Sequence, residues 1–299
     1  MILIILNFII NKKENSYKMT SPRTLLTAWN LRARKKLGQN FLSDPSTAQM
    51  IVERANLGSD DIVIEIGPGL GALTIPASKK VKKIYAIEKD TQLISVLESE
   101  LLAKGINNVE IINGDILKTD IKNIAEQYTQ NVVVIGNLPY NISSQIIMNL
   151  IKDRSLYEKA IFMFQKELAE RLVASPGNKS YGRISAVLQY FSEISTVADV
   201  KSNLFYPKPN VDSSVIEISF NKDIKIKAIN EDLYIKVVKA AFSKRRKTLK
   251  NSLSRSELKT ETEIVLKALE SSEIDPIRRA ETLTVDEFVK LSNEFNAVL

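Results

Sequence analysis

Asn137, Pro139 and Tyr140 have the types and spacing to bind a planar ring that carries an exocyclic amino group. They belong to the stretch 136–140, Gly-Asn-Leu-Pro-Tyr, which directly follows the apolar run 132–135. Pro139 fixes its own φ and disfavours helix at the residue before it, so the segment leaves a strand in an extended conformation. The Asn137 Oδ1 and the Pro139 carbonyl are then two acceptors for an exocyclic amino group, and Tyr140 can stack on the ring that carries it. A simple turn is the alternative interpretation.

Two carboxylates are predicted to lie at the same edge of the sheet. Residues 61–66 form an apolar strand that ends in the glycine-rich turn 67–71, where the backbone can approach a ligand closely. Glu88 ends the next strand, 21 positions after the first of these glycines, where a doubly wound fold places a carboxylate that accepts both hydroxyls of a ribose. Asp115 follows a third strand and can accept from an adenine amino group. A solvated surface acid and a turn residue are the alternative interpretations of Glu88 and Asp115.

The combination of the glycine turn with the stretch 136–140 favours methyl transfer. Enzymes that bind NAD or FAD also use a glycine-rich turn between strand and helix, but a dinucleotide-binding sheet would not predict Asn-Leu-Pro-Tyr after the fourth strand. S-adenosylmethionine lacks a pyrophosphate, and the segment 65–69 suits a ligand that ends in an amino acid.

The composition excludes several kinds of chemistry. Among the 299 residues there is no Cys and no His, which excludes disulfides, catalysis by a thiolate or an imidazole, and Cys/His zinc sites. Any reaction must use carboxylates, amides, aromatic rings, Lys, Arg or a reactive cofactor, and we predict no metal site. The net charge of +7 is compatible with a polyanionic partner, although a Lys-rich composition alone is weak support for one.

The chain is predicted to consist of an N-terminal extension and two domains. Residues 1–10 are almost all apolar but too few to span a bilayer, and their flanking charges follow the run instead of preceding it as in a secretory signal. We predict that residues 1–18 are a disordered extension, with an amphipathic membrane anchor as the alternative. Residues 19–221 are predicted to form an α/β catalytic domain that closes with an antiparallel pair of strands, and residues 222–299 a small helical domain.

The sequence contains two basic clusters, one near the start of the predicted catalytic domain and one in the predicted helical domain. The cluster 32–36 leads into the segment 38–42, Gly-Gln-Asn-Phe-Leu, so it either lies over a cofactor or forms a solvated tail. A second cluster is predicted to form a cationic patch on the first helix of the C-terminal domain, with a merely solvated helix face as the alternative. Its residues are Lys244, Arg245, Arg246 and Lys247.

Five segments of the chain resemble the ribosomal RNA adenine N6,N6-dimethyltransferase family of the KsgA type. They occur in the order of the family, from about Arg34 to the C-terminus, and comprise residues 38–42, 65–71, 136–140, 207–214 and 241–249. The resemblance implies a class I S-adenosylmethionine-dependent methyltransferase fold. This fold is Rossmann-like α/β, with a seven-stranded, mostly parallel sheet and a closing antiparallel strand, and a small all-helical domain follows it.

The resemblance also implies the residues of the site. The cofactor S-adenosylmethionine would contact Asn40, Leu42, Gly67, Glu88, Asp115 and Asn137. The target adenine would lie against Asn137, Leu138, Pro139 and Tyr140, with Phe205 as a second stacking face. The cationic patch of the helical domain would bind RNA.

The function expected from the resemblance is dimethylation of N6 of adenines in small-subunit (16S) ribosomal RNA during ribosome biogenesis. We expect a cytoplasmic monomer whose partner is the small ribosomal subunit and its RNA, with neither DNA nor a membrane as partner. The erythromycin-resistance type, which methylates large-subunit RNA, shares the same motifs and is the main alternative. A ribosome-assembly factor that keeps the fold without catalysis is another.

Overall fold

The computed structural model describes residues 20–139, 141–220, 223–224, 226–244 and 246–298. The predictions for residues 1–18, Tyr140 and Arg245 lie outside these described residues. The chain divides into two compact units. The first contains the described residues up to Ala169 together with Ser195–Phe220, and the second contains Glu170–Ile194 together with the described residues that follow position 220.

The described residues form nine strands, most of them apolar and buried. They are β1 Phe41–Leu42, β2 Ile62–Ile66, β3 Lys83–Glu88, β4 Val109–Asn113, β5 Val132–Asn137, β6 Tyr157–Gln165, β7 Glu193–Val200, β8 Phe205–Tyr206 and β9 Ser213–Ser219.

Helices follow most of these strands in the chain. Those that precede β7 are α1 Pro22–Ala28, α2 Pro45–Arg54, α3 Thr74–Ser78, α4 Thr91–Ala103, α5 Lys122–Ala125, α6 Ser143–Lys152, α7 Lys166–Val173 and α8 Arg183–Phe191. Those of the C-terminal part are α9 Glu231–Ala241, α10 Leu249–Leu253, α11 Thr262–Ser271 and α12 Val285–Val298.

Seven of the strands form one sheet in the order β4-β3-β2-β5-β6-β9-β7. The pairs from β4 through β6 are parallel, and β9 is antiparallel to β6. This arrangement confirms the predicted fold class. The chain adds strands on one side of β2 as far as β4 and then returns to its other side with β5, so the direction of addition reverses between β2 and β5. Open α/β sheets bind their ligands at such a switch point, at the carboxyl ends of the strands.

Burial explains why the central strands have continuous apolar runs. All five residues of β2 and the first five of β5 are buried, because parallel strands in the middle of a sheet are covered on both faces. Ile64 pairs with Tyr85 of β3 on one side and with Val134 of β5 on the other. Rigid central strands therefore fix the positions of the residues that follow them.

A second, two-stranded sheet contains the end of the segment 38–42. Phe41 of β1 pairs with Tyr206 of β8, and Leu42 pairs with Phe205. Strands of two residues are too short to show an alternating pattern. Only the fold brings these two distant segments together.

The second unit is built around an aromatic cluster. Tyr190 of α8 and Tyr234 of α9 pack with ring centroids 4.5 Å apart, and the Tyr234 hydroxyl donates to the Ala186 carbonyl at 2.9 Å. Phe242 and Phe288 pack at 5.8 Å. The segment 170–194 thus belongs to this unit, whereas the predicted boundary at residue 221 assigns it to the catalytic domain; where the functional boundary lies stays a prediction.

The prediction that the cationic cluster lies on a helix is wrong. Helix α9 ends at Ala241, and the described residues between 242 and 248 form a turn that leads into α10. In this turn the Lys247 N–H donates to the Lys244 carbonyl at 3.0 Å, and Leu249 N–H then donates to the carbonyl of Arg278 at 2.8 Å. On a helix, Lys244 and Lys247 would repel each other because residues three positions apart share a face, and the backbone partners favour the turn instead. The described cations of the cluster are exposed.

None of the helices in the described part of the chain is long and apolar enough to cross a membrane.

Candidate active site

A cavity of about 200 Å³ lies at the carboxyl ends of β2, β3 and β5 in the first unit. Its wall contains the six residues predicted to contact the cofactor, which come from five separate parts of the chain. They are Asn40, Leu42, Gly67, Glu88, Asp115 and Asn137. Pro139 also lines it. The cavity thus brings together residues that are up to about 100 positions apart in the sequence.

The glycine turn after β2 forms one side of the cavity. Gly67 and Gly69 have φ values of +68° and +55°, a region that favours glycine. A Cβ on Gly69 would lie 3.2 Å from two atoms of the Phe41 ring, so the turn also packs closely against β1. Larger residues at these positions would strain the backbone and fill the space beside the cavity.

Glu88 is buried at the end of β3, and its two oxygens accept backbone hydrogen bonds. Oε2 accepts from Gly69 N–H at 3.1 Å, and Oε1 accepts from Asp90 N–H at 2.8 Å. Burial raises the pKa of Glu88, and the backbone donors partly offset that rise. The carboxylate therefore joins the glycine turn to the start of α4 while it faces the cavity.

Asp115 is paired with a lysine that the sequence reasoning missed. Lys89 Nζ lies 2.7 Å from Asp115 Oδ2, and Leu117 N–H donates to Oδ1 at 3.1 Å. The hydrogen bond from Lys89 is the main reason that the pKa of Asp115 lies below its usual value. Lys89 directly follows Glu88 and also lines the cavity. Its position just after a strand is the sequence feature that could have identified it as a residue of the site.

Asn137 is held in a defined orientation by the segment before β1. Its Nδ2 donates to the Asn40 carbonyl at 3.0 Å, which turns the opposite end of the amide, Oδ1, away from that segment. Among the described residues no hydrogen bond uses this Oδ1. An amide oxygen held in this way can accept from an amino group.

The Pro139 carbonyl, the second predicted acceptor, already has two donors. Ser143 Oγ donates to it at 2.8 Å and Ile142 N–H at 3.3 Å, both at the start of α6. A carbonyl oxygen has two lone pairs, so these contacts use its capacity. The role of Pro139 as an acceptor for the amine stays a prediction.

Leu138 and Phe205, two other residues predicted to hold the target base, are both buried outside the cavity wall. Leu138 is 1% exposed and Phe205 5%, and neither lines the cavity. Phe205 packs in the hydrophobic core beneath β8, because its strand pairs with Leu42. Its ring therefore offers no open face to a base in this conformation, and its stacking role stays a prediction.

Glu65 of β2 is a buried acid to which the sequence assigned no role. It lines the cavity, is 1% exposed, and its Oε2 has no hydrogen-bond partner among the described residues. Burial raises its pKa to about 7, and the nearby charge of Glu88 adds to the rise. The sequence feature that could have identified Glu65 is its position within an apolar strand. A buried acid is costly there unless it has a partner or a function.

The cavity has hydrogen-bond acceptors that suit S-adenosylmethionine. Glu88 and Asp115 supply carboxylates for hydroxyl and amino groups, and the glycine turn leaves room for close approach of a ligand to the backbone. Among the described residues no group of three or more acidic side chains is arranged to hold a metal ion.

Comparison with known proteins identifies the family. A sequence model of the family described as ribosomal RNA adenine dimethylase matches residues 30–297. The chain belongs to this family. Membership confirms the resemblance found in the five motifs, the expected activity as an rRNA adenine dimethylase, and S-adenosylmethionine as the cofactor.

Individual relatives agree with this assignment. The ribosomal RNA small subunit methyltransferase A of Desulforapulum autotrophicum is 53% identical over 275 residues, which cover 92% of this chain and 96% of that protein. The crystal structure of a dimethyladenosine transferase from Plasmodium falciparum is similar with a TM-score of 0.73 and 30% identity, over 86% of this chain and 98% of that one. The 23S rRNA methyltransferase ErmE, at 24% identity and a TM-score of 0.64, covers 86% of this chain and 100% of its own and shares the fold.

Proposed function

We propose that this protein dimethylates N6 of adenines in small-subunit (16S) ribosomal RNA as a step of ribosome biogenesis. The observation that carries the proposal is the held amide of Asn137 in the same cavity as Glu88 and Asp115. The choice of the small subunit rests on the name of the relative that is 53% identical to this chain.

The carboxylates of the cavity bind and orient the cofactor. S-adenosylmethionine supplies an electrophilic methyl group on its sulfonium sulfur. Glu88 would accept from the ribose hydroxyls. Asp115 would accept from the adenine amino group at Oδ2, the oxygen that contacts Lys89, since Oδ1 accepts from Leu117 N–H. Asn40, Leu42 and Gly67 complete the cofactor contacts.

Asn137 makes the nitrogen of the target adenine reactive. The N6 lone pair is delocalised into the ring, so an acceptor that holds an N–H bond out of its resting geometry turns the lone pair toward the methyl group. No strong base is required before transfer, which fits a chain without His. The hydrogen bond from Asn137 Nδ2 to the Asn40 carbonyl fixes the amide in advance, so no reorganisation is needed during the reaction.

The second acceptor is either the Pro139 or the Leu138 carbonyl. The Pro139 carbonyl must release Ser143 or Ile142 before it can accept from the amine. No donor among the described residues reaches the Leu138 carbonyl, whose own N–H donates to Met163 at 3.2 Å. Leu138 does not line the cavity, however, whereas Pro139 does, so the Pro139 carbonyl stays the predicted second acceptor. Tyr140, and Phe205 after a change of conformation, sandwich the flipped base and offset the cost of unstacking it.

The partner is the small ribosomal subunit and its RNA, in the cytoplasm. The exposed cations Lys244, Arg246 and Lys247, together with Arg245, contact RNA phosphates. The protein acts as a monomer, with no role for DNA or a membrane.

Labelled S-adenosylmethionine tests the proposal. We expect the protein to transfer methyl groups to small subunits that lack the modification, with the labelled adenines near one another, and not to large subunits. Transfer to large-subunit RNA instead would support the erythromycin-resistance type. Absence of transfer to either, with the cofactor bound, would support a non-catalytic assembly factor.

The variant Asn137→Ala tests the catalytic assignment. We expect the methyl-transfer rate to fall by on the order of 10²-fold or more, because removal of one preorganised polar contact from a reacting centre has effects of this size. RNA affinity should stay unchanged. Single-turnover kinetics at saturating cofactor and small subunits measure the rate, and Asn107→Ala, an exposed asparagine outside the cavity wall, is the matched control. A rate within a few-fold of the parent would mean that Asn137 only shapes a turn.

A further inference from the structure

The segment 34–42 forms one wall of the cofactor cavity and is anchored at both ends. Residues 36–40 line the cavity directly. No helix or long strand holds them, since the segment consists of a short 3₁₀ turn, Lys35–Leu37, and the two residues of β1. Its position therefore depends on the contacts at its two ends.

The C-terminal end of the segment is fixed by packing and by β1. Phe41 is 7% exposed and packs in a cluster with Leu70 and Leu93. Beyond it, the Ser43 N–H and hydroxyl both donate to the Leu204 carbonyl at 2.8 Å. This end is thus part of the folded core.

The N-terminal end is held by a closed ring of contacts among Arg34, Gln39 and Asp90, made by one ion pair and two hydrogen bonds. Arg34 Nη1 lies 3.1 Å from Asp90 Oδ1, and Gln39 Nε2 donates to Asp90 Oδ2 at 2.8 Å. Gln39 Oε1 in turn accepts from the backbone N–H of Arg34 at 2.7 Å. Arg34 also donates to Gln92 Oε1. Loss of either the Arg34 or the Gln39 side chain weakens the contact of the other, because both bind the Asp90 carboxylate.

Asp90 connects this ring to the cofactor site. Its carboxylate is 3% exposed and caps α4 by accepting from Gln92 N–H at 3.2 Å, while its own N–H donates to Glu88 Oε1 at 2.8 Å. The anchor for the segment therefore lies two residues from the carboxylate assigned to the ribose.

We propose that Arg34 and Gln39 are positioning residues that slow the release of the cofactor by holding residues 36–40 against the cavity through Asp90. The inference rests on the proposed cofactor site and assigns no contact with reacting atoms to either residue. An exposed ion pair contributes little, but here one partner is buried, so truncation of Arg34 leaves a buried carboxylate with one partner fewer and loosens its hold on the segment.

The dissociation rate of sinefungin, a non-reactive analogue of S-adenosylmethionine, tests the inference on the full chain. We expect Arg34→Met to accelerate dissociation about 10-fold, between the small effect of a surface pair and the large effect of a buried one. Gln39→Leu should give a similar acceleration. The double variant should be little faster than either single variant, since both belong to one ring. Arg34→Lys should restore part of the slow release.

Arg32→Met is the matched control, because Arg32 is exposed two positions before Arg34 and does not line the cavity. It should dissociate sinefungin at the parental rate. A merely structural role predicts a lower melting temperature with unchanged dissociation, and that result would overturn the inference. So would fully additive effects of the two single variants. If the parent itself binds no sinefungin, the proposed cofactor site fails together with the inference, whereas parental rates in both variants overturn the inference alone.

Discussion

At the scale of single residues, Glu88 has two tasks that a substitution can separate. Its oxygens hold the Gly69 and Asp90 N–H groups, and in the proposed complex they also accept from the ribose hydroxyls. Glu88→Gln keeps one carbonyl acceptor and the size of the side chain but removes the charge. We expect S-adenosylmethionine to bind about 10-fold more weakly, the loss typical of one charge-assisted hydrogen bond.

Calorimetry with S-adenosylmethionine measures this loss of affinity. Glu98→Gln, an exposed acid on α4, is the matched control and should leave the affinity unchanged. RNA affinity should be the same in both variants. Unaltered cofactor affinity in Glu88→Gln would remove Glu88 from the cofactor contacts.

Glu65 predicts a pH dependence of stability in the cofactor-free protein. Burial raises its pKa from 4.5 in the unfolded chain to about 7, so the folded state binds a proton more tightly. Its stabilising contribution is fully present below pH 4.5 and is lost as the pH rises through about 7. The Gln side chain does not titrate. As the pH rises from 4.5 to 8, the free energy of unfolding of Glu65→Gln should therefore increase relative to that of the parent by about 2–3 kcal/mol.

Urea denaturation at a series of pH values between 4.5 and 8 measures the difference between Glu65→Gln and the parent. The control is Glu53→Gln on the exposed side of α2. The slope with pH is the readout, since an amide in the buried site also changes the absolute stability. If the difference between Glu65→Gln and the parent does not vary with pH, Glu65 is ionised in the folded protein at every pH tested.

The strand pattern alone predicts that Glu88 and Asp115 lie in the cavity wall, because each stands at or just beyond the carboxyl end of a strand of a parallel sheet. The pairing of Lys89 with Asp115 and the unpartnered oxygen of Glu65 do not follow from the sequence. Both depend on which side chains meet after folding. The hydrogen bonds that hold the Pro139 carbonyl depend in the same way on where α6 begins, at Ser143.

At the scale of secondary-structure elements, Gly136 sets the distance between β2 and β5. A Cβ at this position would lie 2.6 Å from the Ile66 carbonyl oxygen, which belongs to the neighbouring strand and cannot rotate away. Gly136→Ala should force the two strands apart at the edge that carries Asn137, and it should lower the free energy of unfolding by about 2–3 kcal/mol, the cost of overpacking a core.

Thermal or urea denaturation of the Gly136→Ala protein checks this prediction. Gly182→Ala is the matched control, because a Cβ at Gly182 has no atom within 4 Å and its φ of −155° is ordinary extended backbone. Equal stability of the two variants would show that β2 and β5 separate without cost.

The elements themselves were predictable to different degrees. Long apolar runs such as 132–135 identify the central strands, because full burial demands continuous hydrophobicity. The pairing of β1 with β8 was not predictable, since two residues contain no period. The end of α9 was also missed, because the turn after it depends on the contact between Leu249 and Arg278 and not on local helix propensity.

At the scale of the whole molecule, the exposed cations after α9 are expected to contribute to RNA affinity through phosphate contacts. The described members Lys244, Arg246 and Lys247 lie in a turn whose backbone is fixed by its own hydrogen bonds, so they can be neutralised without disturbing a helix. The triple variant Lys244→Gln, Arg246→Gln and Lys247→Gln lowers the net charge of +7 by three. It should reduce affinity for small-subunit RNA and flatten the dependence of that affinity on salt.

The salt dependence distinguishes a phosphate-binding patch from a general effect of charge. Each lost phosphate contact should reduce the slope of log affinity against log salt concentration by somewhat less than about one unit, because each contact releases condensed counterions. The control carries the same change in net charge at three exposed lysines elsewhere in the second unit, Lys236→Gln, Lys267→Gln and Lys290→Gln. Filter binding from 50 to 300 mM salt should give a lower slope for the first variant and a nearly parental slope for the control. Equal slopes in the two variants would show that the cluster after α9 contributes only to the net charge of the molecule and makes no specific contact with RNA.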